Sequence, residues 1–111
     1  MSSDNPTTPA EVFAAMPGEI NTEKAKDINA TFQFELEGNQ GGTWAVKIAD
    51  SECTVENSAI ENPTVRIKMT DEDFVALATG KIQAIPAFLS GKIRVYGDYV
   101  LATKLPVLFE S

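Results

Sequence analysis

The chain has 111 residues, 43% of them hydrophobic, which suits one domain with one core and excludes a disordered protein. With 16 Asp and Glu against 9 Lys and Arg it carries −7, so nucleic acid is repelled on average, although the average leaves room for a local basic patch. Histidine is absent, which removes the commonest general base and metal ligand, and the single Cys53 excludes an intrachain disulfide and fits a reducing compartment.

Residues 1–7, polar apart from Met1, are expected to form a disordered tail, with one domain over 8–111. Thr8-Pro9-Ala10-Glu11 predicts a helix start: a threonine cap, proline at the first helical position and a glutamate placed to close a capping box. Val12, Phe13 and Met16 form its apolar stripe, and Pro17-Gly18 is expected to end it. A second, weaker helix is expected over about Thr22 to Ile28.

Alternation then takes over. Phe32, Phe34 and Leu36 share a face opposite Thr31, Gln33 and Glu35, the pattern of a half-buried strand. The glycine-rich run from Glu37 to Gly42 turns the chain, and Trp44, Val46 and Ile48 return it. Cys53 and Val55 suggest a third strand; Val65, Ile67 and Met69, after Asn62-Pro63, give a fourth. An antiparallel meander with one wet face is the expectation.

Thr70 opens a helical third in which Asp71, Glu72 and Asp73 occupy the positive end of a helix. Phe74, Leu77 and Ala78 point inward, and Gly80 stands where a C-terminal cap belongs. Ile82, Ile85 and Leu89 follow helical spacing with Phe88 close by, Pro86 is early enough to be tolerated, and Ser90-Gly91-Lys92 closes the piece. Ile93 and Val95 predict a fifth strand. Asp98 caps a last helix carrying Tyr99, Leu101, Leu105, Leu108 and Phe109. Ala78-Thr79-Gly80-Lys81-Ile82 is echoed by Leu89-Ser90-Gly91-Lys92-Ile93, which reads as two helix ends sharing one stop chemistry.

This third holds more large apolar residues than one helical stripe needs. The surplus either fills a core or walls an apolar cavity, and Trp44 with the phenylalanines carries the same two readings. No segment approaches the roughly 20 apolar residues of a membrane span. The first residues lack the basic start and apolar run of a secretory signal, so the expected location is cytoplasmic.

Chemistry is sparse. No phosphate-binding loop, dinucleotide fingerprint or metal-ligand spacing occurs, and neither a cofactor nor a metal is expected. Asp71, Glu72 and Asp73 read as helix-start carboxylates rather than as a metal site. Cys53 reads as a core thiol. Tyr96, Asp98 and Tyr99 form the one candidate catalytic group, a carboxyl and two phenols able to move protons beside a carbonyl as in steroid isomerases. The simpler reading makes Asp98 a cap and the tyrosines boundary residues. Lys81, Lys92, Arg94 and Lys104 gather late in this acidic chain, as a solvated face or as a basic lip suited to a carboxylate, phosphate or coenzyme A head group.

The order and spacing of several pieces resemble the sterol carrier protein-2 domain, also called the SCP-2 sterol transfer family. The carrying residues are Phe32-Gln33-Phe34-Glu35-Leu36, Gly41-Gly42-Thr43-Trp44, Asn62-Pro63-Thr64-Val65-Arg66-Ile67-Lys68-Met69, Thr70-Asp71-Glu72-Asp73-Phe74, Gly80-Lys81-Ile82, Ala87-Phe88-Leu89-Ser90-Gly91-Lys92-Ile93 and Gly97-Asp98 leading to Leu101-Ala102-Thr103-Lys104-Leu105. The resemblance implies an α+β fold: a five-stranded, mainly antiparallel sheet covered on one side by helices, with an apolar tunnel between them. It also implies a tunnel that takes fatty acids, fatty acyl-CoA or sterols without chemistry, and transient contact with a membrane or a lipid enzyme. By position the lining would include Phe74, Leu77, Ile82, Ile85, Phe88, Leu89, Leu101, Leu105 and Leu108. Two departures stand out: the C-terminal Ser-Lys-Leu of peroxisomal members is missing, and Ser90 replaces a longer polar side chain of some relatives. The other classes open to this sequence are the proton-transfer enzyme above and a ligand-free interaction module whose core is full.

Overall fold

The computed structural model describes residues 6–109, so most of the expected N-terminal tail lies outside the described residues. The elements run α1 (Pro9–Glu19), α2 (Thr22–Ala25), β1 (Ala30–Glu37), β2 (Gly42–Ala49), β3 (Glu52–Glu56), β4 (Val65–Thr70), α3 (Asp71–Ala78), α4 (Ala84–Leu89), β5 (Arg94–Gly97) and α5 (Tyr99–Leu108).

The sheet has five strands in the order β3-β2-β1-β4-β5. Strands β1, β2 and β3 form the expected meander, with Phe34 opposite Trp44 and Val46 opposite Val55. Asp50 and Ser51, at φ 54° and 65°, make the tight turn between β2 and β3; both lie in the left-handed region that matches strand twist. The meander stops there. Strand β4 crosses to the far side of β1 and pairs with it in parallel, Phe34 beside Ile67 and Leu36 beside Met69, while β5 is antiparallel to β4. The sheet is therefore mixed, not a continuous meander. Its crossover runs over the polar face, where the Ile60 N–H donates to Gln33 Oε1 at 2.9 Å. That contact buries Gln33, whose amide also donates to Glu35 at 2.8 Å.

All the helices cover the other face. Phe32, Phe34, Leu36, Trp44, Val46, Ile48, Val65, Ile67 and Met69 meet Val12, Phe13, Met16, Phe74, Ala87 and Leu108 in one core. At its centre Phe13 stacks on Trp44 at 4.8 Å and on Phe74 at 4.7 Å, with Phe34 edge-on to both phenylalanines at 5.4 Å.

Local signals set the helix ends. Thr8 Oγ1 accepts from the Glu11 N–H at 3.2 Å, and Glu11 reaches back to the Thr7 N–H at 2.7 Å, one residue further than a standard capping box. Helix α1 nevertheless runs past Pro17 to Glu19 and leaves helical geometry only at Ile20, with ψ at 138°. Proline's own φ is helical, so near a C-terminus it forfeits one hydrogen bond without stopping the chain. Helix α2 is a single turn capped by Asn21, shorter than expected, and the Asn21 N–H donates to the Leu108 carbonyl at 2.7 Å.

The sequence echo is structural. Lys81 N–H donates to the Ala76 carbonyl and Gly80 N–H to that of Leu77; Lys92 repeats this onto Ala87 and Gly91 onto Phe88. Both are Schellman endings with glycine in the left-handed region, at φ 82° and 87°.

Candidate functional site

The residues expected to line a tunnel occupy three environments. Phe74 and Leu108, 3% and 1% exposed, belong to the core itself. Leu77, Ile82, Leu101 and Leu105 are half-buried against its border. Ile85 and Leu89 are 61% and 77% exposed, and Phe88 is also exposed. Helix α4 has six residues, and its Ala87 is buried while its larger side chains face outward. Phe88 meets Tyr99 of α5 edge-on at 6.5 Å, which joins the outer surfaces of the two helices.

Two hollows open elsewhere. One, of about 280 Å³, lies against α1 and is lined by Ala10, Phe13, Ala14, Pro17, Trp44, Val55 and Asn57. The other, of about 210 Å³, sits at the ends of β1 and β2 beside Thr64. Neither is lined by the tunnel candidates. The α1 hollow went unread in the sequence. Its available signal was the pair Ala10 and Ala14, one turn apart, whose small side chains leave room above the buried Trp44.

The proton-transfer group is dispersed among other duties. Asp98 Oδ1 accepts from the Leu101 N–H at 3.1 Å as the cap of α5. Tyr96 lies beneath the Arg66 guanidinium, 5.6 Å from it, and Tyr99 meets Phe88. All three residues are exposed. The acidic start of α3 is also structural. Thr70 Oγ1 accepts from Asp73 N–H at 3.1 Å, and Asp71 Oδ2 accepts from the Gln40 N–H at 3.0 Å, pinning the β1–β2 turn to the helix. A Cβ on Gly38 would fall on the Asp71 carboxylate, so that approach requires glycine.

Charge on the open sheet face is organised around Glu35. Arg66 donates to both of its oxygens, from Nε at 2.8 Å and Nη2 at 3.1 Å, with Lys68 at 3.7 Å. The Arg66 hydrogen bonds hold the Glu35 carboxyl below its ordinary value despite partial burial. Arg94 pairs in register with Lys68 on this same face. The late basic residues are therefore divided: Arg94 joins the sheet, while Lys81 and Lys92 follow the ends of α3 and α4, and Lys104 sits on α5. Cys53 is buried, and burial pushes its thiol up to about 11, which leaves it a packing residue.

Known proteins share this fold. The stereoselective inverting sec-alkylsulfatase of a Pseudomonas species contains a region that superposes with a TM-score of 0.84 at 21% identity, over 95% of this chain and 17% of that one. The palmitated sterol carrier protein 2 like 2 of Aedes aegypti superposes at 0.78 and 21% identity, over 95% and 96% of the two chains. At that identity both establish the fold. The rat hydroxysteroid dehydrogenase-like protein 2 is 33% identical over 99 residues, 88% of this chain and 19% of that protein. The chain spans about a fifth to a quarter of the length of the curated relatives it matches. Residues 11–110 match the SCP-2 sterol transfer family, and the chain belongs to that family.

Proposed function

We propose that this domain binds single long-chain lipids, fatty acids or their coenzyme A thioesters ahead of sterols, and carries them without chemistry. One observation bears most of the weight. Leu77, Ile82, Leu101 and Leu105 remain half-buried at the edge of a core already filled by Phe13, Phe74 and Leu108, and Ile85, Phe88 and Leu89 continue that apolar wall outward. Family membership gives the surplus a use. The solved Aedes aegypti relative is a palmitated form. In our reading an acyl chain enters between α3, α4 and α5, over a floor of Phe74 and Leu108, and gains roughly 0.8 kcal/mol for each CH₂ removed from water.

The carrier reading is preferred to proton transfer because Tyr96, Asp98 and Tyr99 are exposed and engaged by Arg66, the α5 backbone and Phe88. Where such a domain is joined to an enzyme, its task would be presentation of a lipid substrate. Displacement of a fluorescent fatty acid by a chain-length series tests the proposal. Affinity should climb with length until the pocket is full, and Leu105→Gln should weaken it tenfold or more through a poorly satisfied amide. A response independent of chain length rejects the carrier reading.

A further inference from the structure

We infer that the outer edge of β3, together with the hollow beside α1, is a docking site for an extended basic segment of a partner protein, which joins the sheet as a further strand. Strand β3 ends the sheet on one side and has β2 as its only strand neighbour. The tight turn at Asp50 and Ser51 makes Ala49 and Glu52 a hydrogen-bonded pair, and alternation then gives Thr54 and Glu56 to β2 as well. The backbone N–H and C=O groups of Cys53 and Val55 therefore point away from β2. Among the described residues no hydrogen bond from another element reaches them. Such an edge accepts an incoming strand through its main chain. The opposite edge, β5, has four residues and borders neither hollow.

Side chains select the strand. A residue set opposite Val55 shares its face and points toward the hollow of about 280 Å³, which Phe13 and Trp44 line together with Ala10 and Ala14. Sites for whole small molecules run to roughly 300–1,000 Å³, so this space suits one large apolar side chain better than a lipid. The flanking positions fall on the open face beside Glu52, Thr54 and Glu56. Charge there is one-sided. From Ile48 to Val65 the chain carries Asp50, Glu52, Glu56 and Glu61 and no Lys or Arg, and α1 adds Glu11 and Glu19 with no cation of its own. Among the ladder partners of β3 only Lys47, opposite Thr54, is basic. Lysine or arginine opposite Glu52 and Glu56, with an apolar side chain opposite Val55, completes both sets of contacts. A second copy of β3 would bring its own glutamates to this edge, so like charge opposes self-pairing.

The edge lies apart from the border of α3, α4 and α5 proposed for lipid, so its test is separate from that of the carrier reading. Two fluorescein-labelled decapeptides serve as probes. One alternates lysine with valine around a central phenylalanine; the other has glutamate in place of each lysine. By fluorescence anisotropy the lysine peptide should bind about tenfold or more tightly than the glutamate peptide, and less tightly as salt rises. Its binding should slow hydrogen exchange at the Cys53 and Val55 amides, read by nuclear magnetic resonance. Glu52→Lys with Glu56→Lys should weaken the lysine peptide about tenfold, and Ala14→Phe, which fills the hollow, should do the same. Fatty-acid affinity should stay that of the wild type in both. No binding of the lysine peptide, equal binding of the two peptides, unprotected Cys53 and Val55 amides, or variants that bind like wild type overturns the inference even if fatty acid binds. So does displacement of the peptide by fatty acid together with loss of fatty-acid affinity in Ala14→Phe, which would make the hollow part of the lipid site. So does light scattering that shows a dimer broken by Ala14→Phe, which would make a second copy the occupant.

Discussion

Phe13 is the side chain on which the helical layer and the sheet converge, so its truncation tests the packing most directly. It is buried, stacks on Trp44 at 4.8 Å and on Phe74 at 4.7 Å, and meets Phe34 edge-on. Phenylalanine to alanine in a sealed core costs about 3–5 kcal/mol. Here the vacated space would merge with the open hollow beside Ala10 and Trp44, so water can enter and the cost falls at the lower end, about 3 kcal/mol. For a domain of this size that is about 12 °C in melting midpoint. Phe13→Leu keeps most of the volume and loses the ring contacts, and should cost about 1 kcal/mol. Urea titrations followed by far-ultraviolet circular dichroism and by Trp44 fluorescence give both numbers, because the protein's sole tryptophan lies against the altered residue. A Phe13→Ala protein that loses less than about 1 kcal/mol at unchanged m-value would show that α1 is not held through this stack.

Three further changes isolate single terms. Asp98→Asn should leave melting unaltered and Asp98→Ala should cost about 1 kcal/mol, since asparagine caps as well as aspartate; ketosteroid isomerisation by the wild type that disappears in Asp98→Asn would restore the enzyme reading. Glu35 has a depressed value in the fold, so its stabilising effect is present above its ordinary 4.5 and is lost as the pH falls through the folded value. Glu35→Gln should accordingly flatten the stability profile below about pH 4.5, and an unchanged acid limb in the variant contradicts the pairing. Gly80→Ala should cost about 1 kcal/mol from backbone conformation alone, because nothing lies within 4 Å of the added carbon. Gly97→Ala adds a clash at 2.5 Å with the Thr64 carbonyl and should cost at least about 2 kcal/mol; equal melting of the two variants would argue against that close approach.

What the sequence disclosed is mostly what depends on near neighbours. The caps at Thr8, Thr70 and Asp98 were legible because each needs only a side chain and an N–H three residues on. The paired endings at Gly80 and Gly91 were legible for the same reason. Alternation gave the strands and the buried face of each. It could not give partners: Val65, Ile67 and Met69 alternate identically whether β4 lies beside β3 or, as it does, parallel to β1. Gln33 likewise belongs by type to the wet face, and only the crossover through Ile60 buries it. Pro17 shows a local signal overruled, since a breaker in the last turn costs less than its reputation in mid-helix.

The candidate site was harder for a related reason. Helical spacing says which residues share a face, but not what that face meets. In α5 the set Leu101, Leu105, Leu108 and the set Val100, Val107 are both regular and both apolar; only the fold distinguishes the one packed on the core from the one left outside. The lysine between the valines is the sequence's one clue to the difference, because a core-facing position would not hold an unpaired charge. Leu105→Gln should weaken fatty-acid binding tenfold or more in a protein that still folds, whereas Val100→Gln with Val107→Gln, away from the core, should leave that affinity unchanged. Equal loss of affinity in the two variants would mean that the set packed on the core and the set left outside both meet the cargo, against the inner placement argued above.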